Sequence, residues 1–354
     1  MLVHICCSVD SHYFLEQIKK EYPDEKIIGF FYDPNIHPYS EYILRLEDVK
    51  YSCNILGIEL IEGDYDLESW LKSVKGYENE PEKGDRCTIC FDKRLSITAQ
   101  KAVELDHDKF TTTLLISPKK SQDKLKIIGN TLAQKYNLTF IFKDYRSGNG
   151  MELQAKEVKK YNIYRQDYCG CMFALNAQRE YQDRLADELI SPINKQVLPE
   201  SIEERLQLYR KRDQNSTLIK QRFLNYRLLN AKVMVKKQII SSYFLCYSTI
   251  KNKKSTGKIE KLINNIGYFA RDEIKLLSLD TFNTIANTNY KTTMELSYSP
   301  PKFKDELKIR DKILNNSFYN LSAIIVLDKL EDIKYNIFCN AKIYEDTQYN
   351  TLIC

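Results

Sequence analysis

Six cysteines in the first half of the chain stand in three close pairs: Cys6 and Cys7 in HICCSVD, Cys87 and Cys90 in RCTIC, and Cys169 and Cys171 in YCGC. Thiolates are the ligands that soft metals and iron–sulfur clusters prefer. A C-x-x-C alone serves zinc and redox sites as well, so the weight lies in all three pairs together. Six sulfurs exceed the four that a structural zinc or a cluster takes. The surplus, with Asp10 three residues after Cys7, suits a second metal ion. Asp10 also has a purely structural reading as an acid in the first turn of a helix. Gly170, between the last two sulfurs, lets the backbone fold tightly so that both can turn inward, and Gly84 is expected to give similar freedom before Arg86 and Cys87. Cys53, inside an amphipathic stretch, reads as core, and Cys246, Cys339 and Cys354 as small hydrophobes or a tail residue.

These residues need elements to hold them. Short runs rich in Val, Ile, Phe and Thr at 2–6, 26–32, 58–63, 109–117 and 138–143 read as strands. Amphipathic stretches at 11–22, 40–57, 91–105 and 121–136 separate them with helical period. The expected fold is α/β, a mostly parallel sheet with helices on both faces, a three-layer domain of nucleotide-hydrolase type over 1–190. In such sheets sites form beyond the carboxyl ends of the strands. Cys6, Cys7 and Asp10 follow the first strand, Tyr32, Asp33 and Asn35 the second, and Ser117 and Pro118 the fourth, so they should converge.

Past about residue 190 the pattern changes. SIEE at 201–204 resembles a capping box opening a charged helix. Beyond it, 237–250 and 320–328 look like strands, and NKKSTGK and NTNYK like turns. A second, β-rich domain over 191–354 is expected. Residues 1–190 carry 26 Lys and Arg against 31 Asp and Glu, and residues 191–354 carry 27 against 17. A basic extension of that kind suggests an anionic partner, most simply nucleic acid, or else an ordinary lysine-rich surface. Hydrophobic residues make up 43% and charged residues 29% of the 354, as in globular proteins. No apolar run approaches the roughly 18 residues of a membrane span, and MLVHICCSVD does not read as a secretory signal. A cytoplasmic protein with reduced thiols and no membrane partner is expected.

HICCSVD, FFYDPNIHPYSEY, EGDYD, RCTICFDKRL, KFTTTLLISPKK and YRQDYCGCMF, in this order over roughly residues 1–180, resemble the QueH-type epoxyqueuosine reductases. The resemblance implies removal of the epoxide oxygen of epoxyqueuosine at the wobble position of tRNA. It implies a 4Fe-4S cluster, a neighbouring mononuclear metal (iron or another divalent ion) and an external electron donor. Carried over, Cys6, Cys7, Cys87, Cys90, Cys169 and Cys171 are the sulfur ligands and Asp10 an oxygen ligand of the mononuclear ion; which four sulfurs hold the cluster stays open. His37, Tyr32 and Tyr39 are proton-donor candidates by position, His37 having the alternative of a loop residue without a catalytic task. Arg45, Arg86, Arg146 and Arg165 are candidates for tRNA contacts, whereas Arg94, on a helix, is expected to pair with a carboxylate. In KKSQDK the acid, Asp123, stands further from the proline than in the family, which loosens any role for it. Two other readings remain. A tRNA-thiolating enzyme on a related fold needs a glycine-rich phosphate loop, and CCSVDS has no glycine. A zinc-binding nucleic-acid module needs only four of the six sulfurs. A disulfide switch leaves the CC and CGC pairs unexplained.

Overall fold

The computed structural model describes residues 1–118, 120–189, 196–212, 217–245, 252–315 and 322–352. The chain forms two units, one of Met1–Leu189 with Arg205–Ile219 and a few residues from Asn350 on, the other of Ile190–Glu204 with Lys220–Tyr349.

The first unit is built on five strands, β1 (Leu2–Ile5), β2 (Ile28–Phe31), β3 (Glu59–Glu62), β4 (Lys109–Thr112) and β5 (Thr139–Phe140), in the order β3-β2-β1-β4-β5. Every pairing is parallel, with Leu2 opposite Ile28 on one side and Phe110 on the other. The central strands are buried along their whole length, which is why they read as continuous apolar runs rather than as alternating ones. The first two crossovers are α1 (Ser8–Glu21) and α2 (Tyr39–Leu56), which pack on each other; α6 (Gly150–Lys160) joins α1. After the short α3 (Leu67–Ser73), the long α4 (Asp85–Glu104) and α5 (Gln122–Tyr136) pack together as a second group. α7 (Met172–Tyr181) closes the series. The strand order turns back at β1, so the ends of β1 and β4 border a crevice, the usual place for a site in such sheets.

Two strand expectations shorten. The run at 109–117 is strand only to Thr112, then a 3-10 turn over Thr113–Ile116 opened by the Thr112 hydroxyl, which accepts from the Leu114 amide. The run at 138–143 contributes only Thr139–Phe140. Gly84 is also corrected: its φ is −70°, open to any residue, and a β-carbon there would crowd the movable Glu80 carboxylate and stand 3.1 Å from the Pro81 carbonyl oxygen.

In the second unit, β8 (Ser242–Phe244), β10 (Lys261–Ile263), β11 (Ile266–Phe269), β12 (Ile274–Ser278) and β13 (Ala323–Leu327) form one sheet in the order β10-β11-β12-β13-β8. It is antiparallel except for β12 and β13. A second sheet runs β7-β6-β14-β9, from β6 (Thr217–Val235), β7 (Gln238–Ile240), β9 (Asn252–Gly257) and β14 (Tyr335–Leu352). The β-rich expectation holds for this unit. NKKSTGK is not a turn: its first six residues are β9, paired with β14, and lysines on an outer strand discourage further pairing. Three helices, α9 (Leu279–Ala286), α10 (Thr293–Tyr298) and α11 (Phe303–Ile313), were not legible in the sequence. The helix α8 (Ile202–Lys211) starts as expected: the Ser201 hydroxyl accepts from the Glu204 amide at 3.2 Å, and Glu204 accepts from the Glu200 amide at 2.8 Å. The strand expected at 237–250 contains β7 and β8; 246–250, with Cys246, and Cys354 lie outside the described residues. Cys53 and Cys339 are buried, as expected of small hydrophobes. Among the described residues no helix is long and apolar enough to cross a membrane.

Candidate metal centre

Strand β1 ends at Ile5 and leaves Cys6 and Cys7 at the turn into α1, with Cys7 as the residue that caps the helix and Asp10 in its first turn. The two sulfurs lie 3.7 Å apart, and Cys6 Sγ is 3.7 Å from Asp10 Oδ2. The three ligand atoms fall within 4.8 Å of one another, all from buried residues. Gln154 of α6 orients the carboxylate, its amide donating to Asp10 Oδ1 at 3.2 Å and to the Val9 carbonyl at 2.8 Å. Both readings of Asp10, helix-terminal acid and metal ligand, fit this position. Burial raises its carboxyl above the ordinary value against the opposing pull of Lys120 and Gln154. Cys7 is held well above the ordinary thiol value, first by its contact with Cys6 and then by burial.

The second pair sits on a helix. α4 begins at Asp85, so Cys87 and Cys90 stand three residues apart on one face of its first turns. The third pair lies in the loop before α7, with Cys171 capping that helix. Gly170 between them has φ +102°, and a β-carbon there would meet Ile36 Cγ1 at 2.9 Å and Arg45 Nη1 at 3.1 Å. Its carbonyl accepts the His37 amide at 2.8 Å.

The three pairs meet at two adjoining cavities. Cys87, Cys90, Cys169 and Cys171 line one, with Asn35 and Trp70. Cys6, Cys7, Asp10 and Cys169 line the other, about 100 Å³ in volume, with Gln166 and Asp167. Cys169, Arg94 and Lys120 line both. Trp70, fully buried, packs with Cys90 and Cys171 and walls the first cavity with an apolar face. The eight cysteines among the described residues are free thiols.

The charge around these sulfurs is arranged for anions. Arg94 pairs with Asp33 and Arg45 with Glu41 at 2.7 Å, all four buried. Lys120 stands 3.5 Å from Glu82, its side chain 10% exposed. Burial alone would lower the Lys120 ammonium, but the Cys169 thiolate and Glu82 outweigh it and raise it. Burial raises the Cys169 thiol, but Lys120 and the Cys171 amide bring it below the ordinary value. Cys171 is pushed up to about 12 by burial and by the charge of Cys169. Among the buried polar atoms here, Asn35 Oδ1, Arg86 Nε and Arg94 Nε have no hydrogen-bond partner. Six soft donors with one carboxylate, three buried cations and unpaired polar atoms fit the residues to thiolate-bound metal and do not fit them to an apolar core.

The remaining expected site residues divide. Arg45 lines the second cavity, but its guanidinium already donates to Glu41 and to the carbonyls of Tyr168 (3.0 Å) and Cys169 (3.2 Å). Arg86 Nη1 donates to the carbonyls of Tyr77, Glu78 and Glu80. Arg146 Nη1 donates to the carbonyls of Ser117 and Lys120. Arg165 is exposed. The Tyr32 hydroxyl donates to Asp66 at 3.2 Å, and Tyr32 lines neither cavity. His37 lines neither as well; its carbonyl accepts from the Tyr168 hydroxyl at 2.8 Å. Asp123 is exposed in the first turn of α5. Lys120, Gln166 and Asp167 were given no role from sequence; their only signal was adjacency to SPKK and CGC.

A polar chain supports the cysteine loop from outside. The Tyr164 hydroxyl donates to Glu41 at 3.1 Å, and Arg205 of α8 donates to the Tyr164 hydroxyl at 3.2 Å. Arg212, just past α8, pairs with buried Asp48 and lies over the Tyr51 ring at 3.9 Å.

Comparison with known proteins identifies the family. The family model described as epoxyqueuosine reductase QueH matches residues 1–177. An epoxyqueuosine reductase QueH of Helicobacter pylori is 44% identical over 351 residues, covering 93% of this chain and 94% of that one. One of Thermotoga maritima is 37% identical over 183 residues, 51% of this chain and 92% of that one. A solved U34-tRNA thiolase, NcsA from Methanococcus maripaludis with its 4Fe-4S cluster, is 15% identical over 60% of this chain and 72% of its own, with a TM-score of 0.34. The family model and the near full-length relative together establish that this chain belongs to the epoxyqueuosine reductase QueH family.

Proposed function

We propose that this reductase removes the epoxide oxygen of epoxyqueuosine carried at the wobble position of a tRNA, with two metal sites held by the six paired cysteines and Asp10. The observation that carries the reading is the division of seven donors between two adjoining cavities that share Cys169. Cys87, Cys90, Cys169 and Cys171 are the four sulfurs for a 4Fe-4S cluster. Cys6, Cys7 and Asp10 are a three-residue set for a mononuclear ion, iron or another divalent metal, with a position left open. When bound, the cluster supplies electrons taken from an external donor and the ion supplies a Lewis-acid position for an oxygen.

The chain's own residues do the rest. Lys120 keeps its proton on Nζ between the two cavities and offsets thiolate charge. Arg45 holds the Tyr168 and Cys169 carbonyls and so fixes the loop that both cavities share. Gln166 and Asp167 line the second cavity with groups that can hydrogen-bond a hydroxylated ring. Trp70 keeps water from the sulfurs of the first. His37, bonded through its backbone to Gly170 and Tyr168, supports the cysteine loop; Tyr32 supports the end of β2. Arg165, exposed beside Gln166, is left for phosphate. The sheet with helices in two packed groups reads as the three-layer nucleotide-hydrolase type, and the basic 191–354 region as an RNA-holding extension.

The test is anaerobic reconstitution of single Cys→Ser variants, followed by iron and sulfide analysis and single turnover on tRNA bearing epoxyqueuosine. Cys87→Ser and Cys171→Ser should lose the brown cluster and its sulfide. Cys6→Ser and Cys7→Ser should keep the sulfide but lose one metal and the turnover. A colourless wild-type protein holding zinc would refute the reading.

A further inference from the structure

One end of the second unit's β7-β6-β14-β9 sheet gathers four lysines. Lys236 and Lys237 are the two-residue turn of the β6–β7 hairpin, which Val235 paired with Gln238 closes. Both have left-handed backbones, φ +46° and +69°. Such turns favour Asn-Gly, because side chains are crowded at positive φ. Lys258 directly follows β9 and Lys334 directly precedes β14, side by side because Tyr335 pairs with Gly257. These lysines, with Val235, Ile333, Asn336 and Asp332, line an open cavity of about 460 Å³. Asp332 is the one carboxylate there; it stands 3.6 Å from Lys258 with its side chain 79% exposed. An exposed pair of this kind neutralises little. Edge protection accounts for the lysines within β9, but not for two at a hairpin turn that a smaller pair would suit better.

We infer that this lysine-lined end of the sheet is a phosphate-binding groove that grips the backbone of the RNA substrate, an inference that rests on the proposed tRNA reading. Ammonium groups act on phosphate as point charges and read no base, so the groove adds affinity without sequence choice. The excess of cations over 191–354 points the same way. RNA is the favoured polyanion because the chain's own substrate brings it.

The test uses the full-length holoenzyme and tRNA binding across a salt series. Lys236→Asn with Lys237→Gly installs the turn pair the hairpin favours and removes two charges, so the thermal midpoint holds or rises. Affinity at low salt should fall roughly tenfold, and the slope of log K against log salt should flatten by about 1–2. KM for tRNA should rise at unchanged kcat. Lys258→Gln with Lys334→Gln should add to both effects. Wild-type protein that binds no tRNA would sink the substrate reading and this site together. Wild-type binding that both variants leave unchanged in affinity and slope sinks the site alone, as does loss of binding to phosphatidylserine vesicles with tRNA binding intact.

Discussion

Gly170 is where a single β-carbon matters most to the centre. Its positive φ and the closeness of Ile36 and Arg45 leave no room for one, and the sulfurs on both sides line the cavities. Gly170→Ala should cost roughly 1–3 kcal/mol of stability and lower the iron and sulfide retained after anaerobic reconstitution. Full loading with an unchanged thermal midpoint would contradict this. At the same scale, the cysteines were legible because thiols are scarce and close spacing is informative. Lys120 was not: the chain has 53 Lys and Arg, and only burial between two sulfur-lined cavities distinguishes this one.

Among the elements, α4 diverges most from what periodicity suggests. The apolar pattern starts α4 near 91, yet the helix begins at Asp85, because its first turns face sulfurs and not the sheet. α8 and the residue just past it bring three arginines to the first unit, and their surroundings rank them. Arg212 and Asp48 are both fully buried; Arg212→Ala leaves that carboxylate unpaired and should cost about 3–5 kcal/mol in chemical denaturation. The pair of Arg210 with Glu47 is half-exposed, and Arg210→Ala should cost less than about 1 kcal/mol. Equal costs would show that burial does not decide here. The 19-residue β6 was missed because Leu, Lys, Arg and Gln favour helix, a preference that pairing with β7 and β14 overrides.

Over the whole molecule, each unit has its own apolar core, but the chain does not divide at one point. It leaves the first unit after Leu189 and returns at Arg205–Ile219. A chain ending at Leu189 therefore lacks Arg205 and Arg212, and leaves Asp48 and the Tyr164 hydroxyl without those partners. A chain ending at Ile219 keeps both. The longer one should unfold at higher urea; coincident midpoints would mean that the returning segment adds nothing.

What the residues alone determined is the inventory of paired cysteines and the alternation of strand and helix, because both are local: a spacing of one to four residues and a periodicity of two or three and a half. HICCSVD, RCTIC and YCGC each present their sulfurs whatever the rest of the chain does. Which sulfurs share a cavity was decided by the tertiary structure, which sets the end of β1, the first turns of α4 and the loop before α7 side by side. The same holds for Arg45, Arg86 and Arg146. As sequence they are free forks for phosphate; in the fold, nearby carbonyls that would otherwise be left without donors take up their N–H groups.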